Sequence, residues 1–277
     1  MILVVGATGN VGRSLIRALA RRGSAVRALS RNPSAVPPLA GVQAVAGDLD
    51  DRASLEPALR AVDSVFLATR ASRLPDHAQH LVTAAAASGV RRLVLLSSLS
   101  VEGEPPEAIG RWHAAGERAV RESGLSWTML RAGAFMSNTL EWAAGIRAEG
   151  VVKGLYGNVT TAPVAPEDLA EVAARTLTEP GHEGRIHRVT GAHRISAAEQ
   201  ARLIGEALGR PLRFEEVPRE AALEHFRWCG PDAAVTLDAL RDSAAPWARA
   251  GDAVRELTGR PARTFQDWLT GHVDDFR

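Results

Sequence analysis

Gly6-Ala7-Thr8-Gly9-Asn10-Val11-Gly12 closes an apolar run, Ile2-Leu3-Val4-Val5, and opens a segment in which Val11, Leu15, Ile16 and Leu19 recur at helical spacing. A short apolar run that ends in a glycine turn reads as a buried parallel strand, and the following periodicity reads as an amphipathic helix as far as Arg22, stopped by Gly23. In a strand–turn–helix unit of this kind the first glycine permits the tight turn. The second lets backbone approach a pyrophosphate, and the third lets helix and strand pack closely. The helix N-terminus then presents unpaired N–H groups and a positive dipole end to phosphate oxygens. Gly6, Thr8, Gly9, Asn10, Val11 and Gly12 are therefore expected to cradle a dinucleotide, although the spacing is G-x-x-G-x-x-G rather than G-x-G-x-x-G.

The same alternation continues along the chain. Strands are expected at Ala25–Leu29, Val42–Ala46, Ser64–Ala68, Arg92–Ser97, Trp127–Leu130 and Arg185–Val189. Helices are expected at Asp76–Ser88, Ile109–Glu122, Asn138–Arg147, Pro166–Leu177 and Ser196–Leu208. Strands alternating with helices of this length imply crossover units and a doubly wound parallel sheet, an α/β fold of Rossmann type. Residues 1–150 are expected to form the dinucleotide-binding core. Residues 151–277, broken by Pro211, Pro218, Pro231, Pro246 and Pro261, are expected to complete it and to add a smaller substrate-side lobe.

The end of the second strand selects the nucleotide. An acidic residue there would bind a ribose 2′-hydroxyl and repel a 2′-phosphate. The sequence reads Ser30-Arg31-Asn32-Pro33, without a carboxylate and with a guanidinium whose charge and forked geometry suit a phosphate, so NADPH is expected over NADH. Asp48-Leu49 follows the third strand. Asp48 has two readings, a partner for the adenine amino group or a cap for the helix near Arg52. Ala68, Thr69 and Arg70 follow the fourth strand and should line the cofactor on the same edge.

With these segments in place the chain resembles the NmrA-like group of atypical short-chain dehydrogenase/reductase proteins. The resemblance rests on Gly6–Gly12, Leu95-Leu-Ser-Ser98, Ser123–Arg131, Gly133–Asn138, Pro166–Ala170 and Thr190-Gly191; Ala132 departs from it, where relatives often carry proline. It implies either an NADPH-dependent reductase of quinones, dyes or similar acceptors, or a non-enzymatic redox sensor acting through a protein partner. A tailoring reductase of a natural-product pathway is a third reading. Ordinary members of the wider superfamily use a Tyr-x-x-x-Lys pair with a serine. Here Ile109 stands in the tyrosine position and His113 in the lysine position, and the single tyrosine and single lysine, Tyr156 and Lys153, lie outside the matching segment.

The resemblance thus points to hydride transfer without a tyrosine proton donor, suited to an activated small-molecule acceptor, apolar or aromatic. His113 and Ser97 are the candidate catalytic residues: His113 as an acid or a ribose ligand, and Ser97, like Ser98, as a contact of the nicotinamide or the substrate. Trp112, Phe135, Met136, Asn138 and Tyr156 are candidates for an apolar substrate pocket. Glu117, Arg118 and Arg121 read as a solvated helix face. His77 and His80, three apart, lack an evident third ligand, so no metal site is expected. Net charge is +1, which provides no general attraction for nucleic acid or anionic membrane. No run approaches the length of a membrane span, and one cysteine, Cys229, excludes an internal disulfide; a cytoplasmic protein is expected, of open oligomeric state.

Overall fold

The strands of a computed structural model follow the apolar runs closely. It describes residues 1–104, 106–242 and 245–277. In chain order the elements begin β1 (Ile2–Val5), α1 (Asn10–Arg21), β2 (Val26–Ser30), β3 (Val42–Ala46), α2 (Leu55–Leu59), β4 (Ser64–Leu67) and α3 (Leu74–Ala87). They continue with β5 (Arg92–Ser98), α4 (Ala108–Arg121), β6 (Ser126–Ala132), α5 (Ala143–Glu149), β7 (Val151–Gly154), β8 (Thr160–Thr161) and α6 (Pro166–Thr178). The last are β9 (Arg185–Val189), β10 (Ile195–Ser196), α7 (Ala197–Leu208), β11 (Arg213–Glu216), α8 (Arg219–His225), α9 (Ala233–Ala239), α10 (Ala253–Thr258) and α11 (Phe265–Thr270).

Seven strands form one sheet in the order β3-β2-β1-β4-β5-β6-β9, every neighbouring pair parallel. Val5 pairs with Leu29 on one side and Leu67 on the other, so the C-terminal ends of β1, β2 and β4 lie level. The chain reverses its winding between β1 and β4, and the crevice at that reversal is where open α/β sheets bind ligands. The glycine turn sits at its mouth.

Because both faces are covered at the centre of the sheet, β1 and β4 are buried at every residue, whereas the edge strands β3 and β9 are largely exposed. Val4, Phe66, Val94 and Leu130 pack with Leu15, Leu19, Leu169 and Ala173 of α1 and α6 on one face. Leu3, Val5, Leu67, Leu93, Leu95 and Met129 pack with Leu55, Leu59, Leu81 and Val120 on the other. Each such side chain buried on folding contributes roughly 1.5–3 kcal/mol, so this double layer dominates the stability of the sheet.

Beyond β6 the structure departs from the expected pattern. A tight 3-10 helix, Met136–Trp142, precedes α5, where a single helix over Asn138–Arg147 was expected, and α5 ends at Gly150 with φ 64°. Two small sheets, β7 with β11 and β8 with β10, were absent from the sequence reading. Ser196 caps α7, its hydroxyl accepting the Glu199 N–H, while the Glu199 side chain turns outward to Arg202. A separate apolar cluster of Ala108, Ala222, Phe226, Cys229 and Leu237 joins α8 and α9 to the start of α4, forming a lobe over the C-terminal edge of the sheet. Among the described residues no helix is long and apolar enough to cross a membrane.

Candidate active site

Two of the three glycines of the turn have no room for a side chain. Gly6 takes φ 82°, and a Cβ built there would stand 2.6 Å from the Ala68 carbonyl oxygen. A Cβ on Gly12 would overlap the Gly6 carbonyl group. The Gly9 N–H donates to Gly6 O at 3.1 Å, and Gly9 O accepts the Arg13 N–H at 2.9 Å, which starts α1. No side chain caps that helix, so the first-turn N–H groups of Asn10, Val11 and Gly12 remain for a phosphate. A cradle whose walls are backbone, at an uncapped helix start, fits the pyrophosphate of a dinucleotide.

Arg31 follows β2 and is exposed, with no ion-pair partner among the described residues. The turn after it is fastened by Ser30, whose hydroxyl donates to Asn32 O, and by the Asn32 N–H returned to Ser30 Oγ. Arg31 thus projects from a built turn. Asp48 is not a helix cap: its Oδ1 accepts the Asp50 N–H at 3.0 Å, and it is Asp51 that accepts from Ala53 N. One oxygen of Asp48 is therefore spent on the loop, while Leu49 beside it is buried. Ala68 continues from β4 directly against Gly6, and Thr69 and Arg70 follow it in the chain.

On the other side of the crevice, α4 carries the residues at the tyrosine and lysine positions. His113 is 9% exposed, and its Nδ1 has no hydrogen-bond partner among the described residues. Burial pushes its pKa down to about 4 against the opposing charge of Glu117, so the ring is neutral at pH 7 and is no ready source of a proton. A buried ring nitrogen without a protein partner suits a hydroxyl group of a bound ribose. Ile109 has no proton to give.

Ser97 is drawn away from the role expected of it. It is 2% exposed, and its hydroxyl donates to Glu117 Oε1 at 2.6 Å. Ser98 Oγ accepts the Ser100 N–H and so caps the short helix that follows β5. Glu117, expected on a solvated face, is the most deeply buried carboxylate of the region at 0% exposure. It also accepts from Arg131 at 2.8 Å (Nε) and 2.7 Å, and from Arg121 at 2.7 Å. Arg131 goes on to Glu102, which Arg188 also reaches. Burial alone would raise the Glu117 carboxyl; the hydrogen bonds from Arg131 and Ser97 and the charges of Arg131 and Arg121 hold it below the usual range. This network pins α4 to β5 and β6, and so sets where His113 stands.

The expected pocket residues do not all converge. Trp112 and Tyr156 join one cluster beneath the lobe, where Trp112 stacks on Trp228 with centroids 5.7 Å apart and Arg241 lies over the Tyr156 ring at 5.3 Å. Phe135 instead bridges to Val164 and packs on the same core as Ala68 and Leu96, on the cofactor side. Asn138 is exposed and Met136 belongs to the C-terminal core. The lobe is fastened to α4 by the Arg111–Asp232 ion pair and by Glu107, which caps α4 through the Ile109 and Gly110 N–H groups and receives the Thr236 hydroxyl at 3.4 Å. Trp228, absent from the sequence reading, remains 47% exposed at this junction. Cys229 is buried, and burial raises its thiol, so it stays an inert thiol rather than a nucleophile. Among the described residues no group of three or more His, Cys, Asp or Glu could hold a metal ion.

The buried neutral state of His113 has a measurable consequence. Its ordinary pKa of 6.5 falls to about 4 on folding, so the unfolded chain binds more protons between these values. Stability is complete above pH 6.5 and is lost as pH falls towards 4. Between pH 7 and pH 5 this single group should cost the protein about 2 kcal/mol. Urea unfolding of the protein beside His113→Gln should show that much less acid sensitivity in the variant. Equal pH profiles would place the acid lability elsewhere.

Comparison with known proteins agrees with this geometry. A family profile described as NAD(P)H-binding matches residues 6–180. The chain is 47% identical to the (4-alkanoyl-5-oxo-2,5-dihydrofuran-3-yl)methyl phosphate reductase of Streptomyces griseus subsp. griseus, over 100% of this chain and 99% of that one. It is 37% identical to the NAD(P)H azoreductase of Xenophilus azovorans, again over 100% and 99% of the two chains. Among solved structures, an NADPH-dependent quinone oxidoreductase from Escherichia coli superposes with a TM-score of 0.80 at 26% identity, covering 98% of this chain and 99% of that one.

Proposed function

The chain belongs to the NAD(P)H-binding family, and from that premise we propose that it is an NADPH-dependent reductase of conjugated, electron-poor acceptors, an acyl-butenolide phosphate foremost among them. NADPH held along Gly6–Gly12 would supply the hydride. The observation that carries the reading is the helix face of Ile109 and His113, which offers an alkyl side chain where a carbonyl reductase keeps its tyrosine proton donor and a neutral buried imidazole where it keeps its lysine.

Reduction of an isolated ketone needs a proton beside the developing alkoxide. A 4-alkanoyl-5-oxo-2,5-dihydrofuran does not. Hydride added at ring carbon 3 breaks the carbon 3–carbon 4 double bond and leaves the electron pair on carbon 4, between two carbonyl groups. That 1,3-dicarbonyl enolate is stable enough to take its proton from water. Quinones and azo compounds likewise accept hydride into a delocalised anion, so the same protein equipment serves all three. What the chain must contribute is orientation and exclusion of solvent. In this reading His113 would hold the ribose, and the lobe bearing Trp228, above Trp112 and Tyr156, would cover the acceptor.

The test is NADPH oxidation across a panel: an acyl-butenolide phosphate, a quinone, an azo dye and an unconjugated ketone. Turnover of the conjugated acceptors without the ketone is expected. No turnover with any of them, alongside tight binding of both NADP⁺ and NADPH, would overturn the enzyme reading in favour of a redox sensor.

For cofactor choice, Arg31→Ala should weaken NADPH about tenfold to a hundredfold, the effect of losing charge-assisted hydrogen bonds to a phosphate. NADH binding should stay within about twofold of its original value, since it lacks that phosphate. Titration by nucleotide fluorescence distinguishes the cases. Equal losses for the two nucleotides would show that Arg31 is not the phosphate ligand.

A further inference from the structure

His77 lies on α3, 8% exposed, with both ring nitrogens engaged. Nδ1 is 2.7 Å from Thr69 Oγ1, and Nε2 is 3.1 Å from Asp50 Oδ1. These partners belong to two different loops of the cofactor edge, one after β4 and one after β3. One turn along the same helix, His80 Nδ1 stands 2.7 Å from the Leu49 carbonyl oxygen. Asp50 is also bonded to Arg73, which reaches Asp76 in turn. The Arg73 hydrogen bond, followed by that from His77, holds the Asp50 carboxyl below the usual range.

These contacts fix hydrogen-bond directions. An ionised Asp50 only accepts, so His77 Nε2 carries a hydrogen and donates it. In a neutral ring Nδ1 is then an acceptor, and the Thr69 hydroxyl must donate to it. Thr69 is left with lone pairs alone for anything in the crevice. If the ring gains a proton, Nδ1 donates to Thr69 and the hydroxyl hydrogen is released to point outward. The neutral ring therefore leaves Thr69 only acceptors for the crevice, whereas the charged ring takes one of those lone pairs and turns a donor outward.

Resting on the cofactor reading above, we propose that His77 is the positioning residue that sets the polarity of the adenosine-side rim, making Thr69 an acceptor for a hydroxyl or amino donor of the nucleotide. Protonation of His77 takes one of Thr69's lone pairs, turns the hydroxyl hydrogen towards that donor and weakens binding. The charged and titratable groups around it are Asp50 and Asp48 on the loop after β3, Arg73 at the start of its own helix, and Asp76 and His80 within that helix. The loop after β4 brings Thr69 and Arg70.

Two measurements test this. Nitrogen NMR of the ligand-free protein at pH 8 should find His77 with a protonated Nε2 and a bare Nδ1. NADP⁺ titrations at pH 8 and pH 5.5 should then compare the protein with His77→Gln, whose amide donates to Asp50 and accepts from Thr69 but cannot take up a proton. The parent's affinity should fall between pH 8 and pH 5.5 about three- to tenfold further than the variant's does, the effect of one neutral hydrogen bond. Thr69→Val, introduced into both the parent and the His77→Gln variant, should erase that difference between them; the nucleotide's own phosphates titrate alike in every case. A protonated Nδ1 at pH 8, or His77→Gln following the parent at both pH values, would overturn the proposal. Failure of the parent to bind NADP⁺ at all would instead remove the cofactor reading, and the NMR result would still judge the ring's role.

Discussion

Gly12→Ala should raise the NADPH dissociation constant at least about a hundredfold, close to 3 kcal/mol of binding free energy. The residue takes an ordinary helical conformation, and alanine is the better helix former by about 1 kcal/mol, so a local view would favour the substitution. The added methyl decides otherwise. It would stand 2.8 Å from the Gly6 carbonyl carbon and 3.0 Å from Ala7 Cα, both backbone atoms of the turn itself. Backbone cannot swing aside as a side chain can, so α1 must move away from β1. The N–H groups of residues 10–12 then leave the position in which they converge on a phosphate. Gly9→Ala is the informative companion, because its methyl would meet only Gly6 O, at 3.4 Å. That variant should keep its stability and lose affinity, whereas Gly12→Ala should lose both. Calorimetric titration of a folded Gly12→Ala protein that bound NADPH within about threefold of the parent would show that the turn is not the phosphate cradle.

The ease with which this turn is read from sequence has a physical origin. Its glycines, the apolar strand before it and the amphipathic helix after it are contiguous, so the chemistry and its context occupy a single short stretch. Of the other strands that meet the crevice, β4 is buried at every residue and reads as a short apolar run, while β2 and β3 keep an apolar pattern around Arg27 and Gln43. Residues just past their ends, Arg31, Asp48 and Thr69, are brought to one edge by parallel topology alone. The lobe is less legible because its contacts are long-range: β7 pairs with β11 far along the chain, and Trp112 meets Trp228 only after the chain has returned. His77 suffers the same way. On its helix it looks like half of a metal pair with His80, and nothing local announces that its two nitrogens are taken by Thr69 and Asp50.

Glu117 is the sharpest case, and the register of α4 held a signal for it. Gly110, His113, Glu117 and Val120 fall at three- and four-residue intervals, the spacing of a single helix face, and all four are buried. A carboxylate on that face needs a cation, and the cation, Arg131, lies on β6 fourteen residues on, where it reads as the end of a strand. Glu117→Leu should destabilise the protein by about 3–5 kcal/mol, because it leaves Nε and one Nη of Arg131, itself 13% exposed, and the Ser97 hydroxyl without their acceptor, with Glu102 alone still paired to the guanidinium. Glu117→Gln should cost less, since an amide oxygen still accepts. The ion pair need not be a net source of stability, since taking both charges out of water offsets most of their attraction. The double variant Glu117→Leu/Arg131→Met should therefore recover much of the loss in urea unfolding. An exposed pair gives the control: Glu199→Gln, opposite Arg202, should change stability by no more than about 0.5 kcal/mol. A loss below about 1 kcal/mol for Glu117→Leu would mean that the guanidinium finds water when its partner is gone, and that α4 is held by its apolar contacts alone. If the double variant is stable but slow with NADPH and acceptor, the network's purpose is placement: it fixes the helix that carries Ile109 and His113, and stability is what it needs to do so.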